Sequence, residues 1–109
     1  GADVAKALAL GADAVFMGWA LLSAMGCLNC RLCPTGKCPQ GIMTQDQDLI
    51  KKLKLDDAAK GVANFISAAT EEVKMAAAAT GKNDIHKLGK DDVRSLSWEL
   101  TQLTGIPLV

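Results

Sequence analysis

Residues 2–18 read ADVAKALALGADAVFMG, and the fold turns on them. Ala2 to Leu10 is an alanine-rich run that predicts a short helix, with Asp3 as its cap and Gly11 as its stop. Ala12 to Met17 is short, apolar and bounded by Gly11 and Gly18, which predicts a buried strand. No other segment reads convincingly as a strand. One strand alone leaves its backbone donors and acceptors unpaired, so this one needs neighbours on both sides. Helix followed by strand is also the order found at the end of a βαβ array, whose glycine-rich strand ends bind ligands. The expectation is therefore an α/β protein of which this chain is an incomplete part: a fragment, or a subunit completing a sheet supplied elsewhere.

Beyond Gly18 the pattern turns helical. Trp19 to Met25 predicts a helix, and Gly26 to Gly41, holding all the cysteines, two prolines and three glycines, predicts an irregular loop. Thr44 followed by Gln47 fits a capping box opening a helix over Gln45 to Leu53. Asp56 or Asp57 is the expected cap of a long helix running to Thr80 and closed by Gly81. Its apolar face is expected at Val62, Phe65, Ile66, Ala69, Val73 and Ala76. The last predicted helix covers Asp91 to Leu103, with Val93, Leu96, Leu100 and Leu103 on one side and Gly105-Ile106-Pro107 ending it. There is no internal repeat and no low-complexity tract.

The totals fit a small packed domain. Half of the 109 residues are apolar and only 4% are aromatic, which favours close-packed helices. Twelve basic and twelve acidic residues cancel, and no basic stripe appears, which argues against a nucleic-acid partner. The first residues do not read as a signal or transit peptide. The uncharged stretch from Ala14 to Cys30 touches the lower edge of a membrane span, but Gly18, Ser23, Gly26 and Asn29 interrupt it, so no span is expected.

All four cysteines fall in the loop, as Cys27, Cys30, Cys33 and Cys38. A disulfide framework spreads its cysteines along a secreted chain, whereas clustered cysteines point to a metal in an intracellular protein. Their spacing, C-x2-C-x2-C-x4-C followed by Pro39, is the bacterial ferredoxin run with one more residue before the last cysteine. Gly36 lets the backbone bend, Pro34 and Pro39 stiffen it, and Arg31 and Lys37 offset thiolate charge. Backbone N–H groups in such turns donate to the sulfurs and raise the reduction potential. Structural zinc is the principal alternative. Zinc ribbons, however, usually present two separated knuckles rather than one continuous run, so the spacing favours iron–sulfur.

Two segments together resemble a known family. Asp3 to Val15 is similar to the last helix–strand step of FMN-binding (β/α)8 barrels of the IMP-dehydrogenase and glutamate-synthase kind. Cys27, Cys33 and Cys38, with five and then four residues between them and followed by Pro39, Gly41, Thr44 and Gln45, resemble the cluster loop of glutamate synthase large subunits. Cys30 is additional to that three-cysteine pattern and resembles archaeal-type members. Pro34 stands where a His often follows the second family cysteine. Trp19 stands where many flavin barrels have Arg, which puts a side-chain phosphate contact in doubt and leaves the backbone N–H of Gly18.

The resemblance implies three parts: residues 1–25 as the end of a TIM-type FMN-binding barrel, 26–45 as the iron–sulfur loop, and 46–109 as a helical tail. It implies an iron–sulfur cluster held by Cys27, Cys33 and Cys38. That centre is 3Fe-4S with three ligands, and Cys30 could complete 4Fe-4S as the fourth. FMN would be approached at Gly18 and bound mostly by upstream residues. The implied activity is reductive amination of 2-oxoglutarate to glutamate, with electrons reaching the flavin through the cluster. The implied partners are the rest of the synthase barrel, a glutaminase domain or subunit, and an electron-donating reductase subunit or ferredoxin. This chain alone carries no catalytic residue in that reading and should be inert. Two other readings stand beside it: an iron–sulfur electron-transfer subunit of another flavin complex, and a zinc-stabilised helical interaction module.

Among the remaining residues, His86 is the sole histidine and reads as a surface or packing residue. Glu71-Glu72 and Asp91-Asp92 read as solvated charge, because adjacent helix positions do not face each other. Met17, Met25, Met43 and Met75 read as core fillers, and Trp98 as a packing residue.

Overall fold

The computed structural model describes all 109 residues. Five helices form: α1 (Ala2–Ala9), α2 (Trp19–Ala24), α3 (Gln47–Ile50), α4 (Leu55–Ala79) and α5 (Trp98–Thr104). Single 3₁₀ turns lie at Cys33–Thr35, Ile85–Lys87 and Lys90–Asp92. No helix is long and apolar enough to cross a membrane.

The expected strand does not form. Ala12–Met17 is irregular, no backbone hydrogen bond joins Asp13 to Met17, and Phe16 is fully exposed. The physical reason is the one the sequence raises: these residues have no neighbouring strand in the chain, so neither ladder bonds nor a covering face exist. The one β-type pairing is an isolated parallel bridge between Ser95 and Leu108. In it Ser95 N–H donates to the Pro107 carbonyl (2.8 Å) and Val109 N–H to the Ser95 carbonyl (3.0 Å).

Three helices end in the same device. After α1 the N–H groups of Gly11 and Ala12 donate to Leu8 and Ala7. After α2 those of Gly26 and Cys27 donate to Ser23 and Leu22, and after α4 those of Gly81 and Lys82 donate to Ala78 and Ala77. Each pair is the double bond of a Schellman cap, which satisfies carbonyls that the helix itself leaves open. The expected starts are less well matched. Asp46, not Thr44, caps α3, accepting from the N–H groups of Asp48 (2.9 Å) and Leu49 (3.3 Å). Thr44 Oγ1 instead accepts from Asp46 N–H. Asp3, Asp56 and Asp57 sit inside first turns, where a negative charge still favours the helix dipole.

The predicted helix over Asp91–Leu103 is confined to its second half. Ser97 caps α5 through a bond from Leu100 N–H (3.4 Å), and the residues before it are drawn into the 3₁₀ turn and the bridge to Leu108.

The chain divides into two compact units, one of Gly1–Phe16 with Ala68–Val109 and one of Met17–Ser67. In the first, Leu8 and Ala9 of α1 pack on Val73 and Ala77 of α4 and on Leu88, with Val4, Ala5, Ile85 and Val93 around them. The buried face of α4 accordingly falls at four-residue steps, Ala69, Val73 and Ala77, while Ile66 is exposed. The same unit is clamped by Lys82, whose Nζ donates to the Lys87 carbonyl (2.7 Å) and to Asp92 Oδ2, while Gly89 N–H donates to the same carboxylate (2.7 Å). Asp92 is thus a positioned partner rather than solvated charge. Met43, Met75 and Trp98 lie on the surface, where the sequence suggested packing.

In the second unit, α4 passes the end of α2 so closely that a Cβ on Gly61 would collide with the Ala24 carbonyl. A small residue is required at that crossing. The result is a short scaffold whose helices end on either side of the cysteine loop.

Candidate metal centre

The loop is tied to the helices by main-chain bonds. At its start, the α2 cap holds Cys27 through its N–H to the Leu22 carbonyl (3.0 Å). Gly26, at φ 98°, adopts the left-handed conformation that this cap needs. At its end, Gly41 N–H donates to the Cys38 carbonyl (3.1 Å). Gly41, at φ 73°, lies against the backbone of α3, where a Cβ would collide with the Leu49 carbonyl.

Between these ties the four thiols occupy different environments, and none is in a disulfide. Cys38 is buried, at 6% exposure. The backbone N–H of Met43 foremost, with those of Gln40, Ile42 and Gly41, favours its thiolate. Together they hold the thiol below its ordinary pKa although burial pushes the other way. Cys27 is half-buried and its sulfur accepts from Asn29 N–H (3.4 Å). Cys33 is half-buried at the start of its 3₁₀ turn, which closes through Gly36 N–H to the Cys33 carbonyl (3.2 Å) and Thr35 Oγ1 to the Leu32 carbonyl (2.7 Å). Cys30 is exposed and makes no hydrogen bond. Its neighbours Asn29 (φ 54°) and Arg31 (φ 58°) are both left-handed, which is uncommon outside glycine.

The donor set is soft thiolate sulfur throughout, which suits an iron–sulfur or zinc centre and not a hard cation. The Asn29 N–H that donates to the Cys27 sulfur is the kind of contact that stabilises ligated sulfur. The sulfurs are not gathered: no three Cys, His, Asp or Glu side chains converge on a point that holds a metal ion. The structure therefore places four free thiols on one loop without assembling them into a metal site. A shallow groove beside Cys33 and Pro34, lined also by Ile42, Met43, Thr44 and Gln45, leaves space next to the loop.

Gly18 stands at the N-terminus of α2, exposed, with nothing within 4 Å of where a Cβ would sit. Its N–H has no partner, which leaves it open to an anion, but this chain builds no cradle around it. His86 is exposed, its backbone N–H bonded to Asp84 Oδ1 (2.9 Å), far in sequence from the loop.

A mostly helical chain that carries four free thiols on one main-chain-tethered loop is a cysteine-rich segment. Comparison with known proteins gives the family. The family model described as the conserved region in glutamate synthase matches residues 1–83. The archaeal glutamate synthase (NADPH) of Methanocaldococcus jannaschii is 49% identical over 87 residues, covering 80% of this chain and 17% of that protein. The corresponding protein of Archaeoglobus fulgidus is 43% identical over 107 residues, covering 94% and 21%. The glutamate synthase large subunit-like protein of Rhizobium meliloti is 40% identical over 124 residues, covering 99% and 28%. This chain belongs to the glutamate synthase family. It spans between about a sixth and somewhat over a quarter of the length of these relatives. No solved structure matches it.

Proposed function

We propose that this chain is the iron–sulfur segment of a glutamate-synthase-like oxidoreductase, with Cys27, Cys33 and Cys38 as cluster ligands and Cys30 as the fourth. The observation that carries the reading is the Cys27–Cys38 loop, four free cysteines tied at both ends by main-chain bonds, with one main-chain N–H donating to the Cys27 sulfur. When bound there, an iron–sulfur cluster supplies one-electron transfer. The chain's own residues hold it: Cys38 offers a thiolate already favoured by surrounding N–H dipoles, and the α2 cap sets the position of Cys27.

In the same reading the irregular segment Ala12–Met17 pairs as the last strand of an FMN-binding barrel supplied by the rest of the synthase. The unpaired Gly18 N–H then faces the flavin phosphate at a helix N-terminus. The whole assembly aminates 2-oxoglutarate reductively to glutamate, with ammonia from a glutaminase part and electrons from a reductase subunit or ferredoxin. This chain by itself performs no turnover.

The test is iron, zinc and acid-labile sulfide on anaerobically purified protein, with EPR before and after dithionite. Iron and sulfide in comparable amounts with a reducible EPR signal support the reading. Zinc without sulfide overturns it in favour of a structural module. A cluster-bearing assembly that fails to oxidise with 2-oxoglutarate and glutamine or ammonia overturns the synthase part alone.

A further inference from the structure

We infer that the cysteine loop is closed from outside: the rest of the synthase seats on Leu28 and Leu32, and that contact gathers thiols which this chain alone keeps apart. The inference rests on the reading under Proposed function and deepens it by naming the surface that completes the site.

The loop is fixed at its ends and not in its middle. Cys27 hangs from the α2 cap, and Gly41, three residues past Cys38, lies against the backbone of α3. From Leu28 to Arg31 the backbone makes no main-chain hydrogen bond. Asn29 (φ 54°) and Arg31 (φ 58°) nevertheless hold left-handed conformations, and the sole bond in this stretch runs from Asn29 N–H to the Cys27 sulfur. Non-glycine residues keep such conformations where surrounding structure over-determines them, and one bond does not. The thiols of this untied stretch and its neighbours accordingly stay apart.

The side chains of the same stretch call for a cover. Leu28 is 61% exposed and Leu32 43%, one on each side of the exposed Cys30. Single exposed leucines are ordinary on a protein surface. Here, however, Pro34 and Met43 are exposed as well, along the groove next to Cys33. Burying these apolar side chains is the favourable term that can offset the entropy lost in ordering an unbonded backbone. The occupant is the synthase polypeptide itself. The relatives carry far more chain than this segment matches, so a covering surface is available within one molecule. Ala12–Met17, on the other side of α2 in the sequence, lacks cover in the same way, with its backbone unpaired from Asp13 onward and Phe16 fully exposed.

The experiment compares this chain alone with the complete synthase polypeptide that contains it, each supplied anaerobically with ferrous iron and sulfide. The complete protein should take up iron and acid-labile sulfide in comparable amounts, and the chain alone should not. In iron-free samples, N-ethylmaleimide should modify Cys30 several-fold more slowly in the complete protein than in the chain alone, because access to the thiol is reduced. In the complete protein, Leu28→Ser with Leu32→Ser should lose most of the iron and regain fast labelling at unchanged far-UV circular dichroism. Leu28→Met with Leu32→Met, which conserves volume and apolarity, should keep both parent values. A chain alone that holds as much iron and sulfide as the complete protein overturns the inference. So does equal labelling of Cys30 in the two proteins, or a serine variant that keeps the parent's iron and labelling rate. A complete protein that takes up no iron and sulfide, or zinc without sulfide, instead overturns the functional reading beneath it.

Discussion

Replacing Gly41 by Ala probes whether the loop's end is held as described. Two separate costs apply. Gly41 has φ 73°, and the left-handed region costs a residue with a Cβ about 1–2 kcal/mol. The added Cβ also falls against α3, colliding with the Leu49 carbonyl and lying 3.2 Å from the Ile50 carbonyl, both backbone atoms that cannot rotate away. Forcing them apart adds about 1–3 kcal/mol, as for other overpacked sites. Gly36 separates the two effects. It has φ 69° with nothing within 4 Å of its Cβ position, so Gly36→Ala should cost the conformational part alone, about 1–2 kcal/mol. Urea unfolding followed by far-UV circular dichroism, at unchanged m-value, gives both numbers. Gly41→Ala should be the more destabilising by about 1–3 kcal/mol. Equal losses within about 0.5 kcal/mol would show that α3 does not press on Gly41, and the account of how Cys38 is fixed would fall with it.

Other expectations concern the first unit. Leu8→Ala removes the largest buried side chain shared by α1, Val73, Ala77 and Leu88, and should cost about 2–5 kcal/mol by the same denaturant assay. Part of the pH dependence should come from Asp92, whose bond from Lys82, and then the Gly89 N–H, hold its carboxyl below the ordinary 3.8. A carboxyl depressed in the folded state stabilises above its unfolded pKa, and that contribution disappears as pH falls through the folded value. The urea midpoint should therefore drop below pH 4, and the drop should shrink in Asp92→Asn; equal pH profiles for the two proteins would refute this origin.

The helices were legible wherever the signal was local. Gly11 and Gly81 marked two helix ends because a Schellman cap needs only a left-handed residue at the stop. The irregular loop was legible from Gly26 to Gly41 through its prolines and glycines. The misreadings share another cause: partners distant in sequence. Lys82 reaches Asp92 and Ser95 reaches Leu108, and those contacts turn Asp91–Leu96 from a predicted helix into a turn and a bridge. Thr44 looked like a cap because the capping-box spacing is right, yet Asp46, two residues nearer the helix, offers a carboxylate that takes two N–H groups. The identity of the four candidate ligands could be read from spacing. Their inequality could not, because the burial of Cys38 depends on a turn packed by α3 and the exposure of Cys30 on two backbone conformations that no residue type announces.

The α2 cap has a consequence for how this segment tolerates sequence drift. Because Cys27 hangs from the Leu22 carbonyl through its own amide, its place is set by the length of α2 and hardly at all by which side chains α2 carries. Insertion or deletion of a single residue turns the cap by about 100° and shifts it by about 1.5 Å, carrying Cys27 away from the other three. The helix behaves as a spacer whose residue count matters more than its spelling. Gaps in an alignment between Gly18 and Cys27 should therefore coincide with loss of the cysteine pattern.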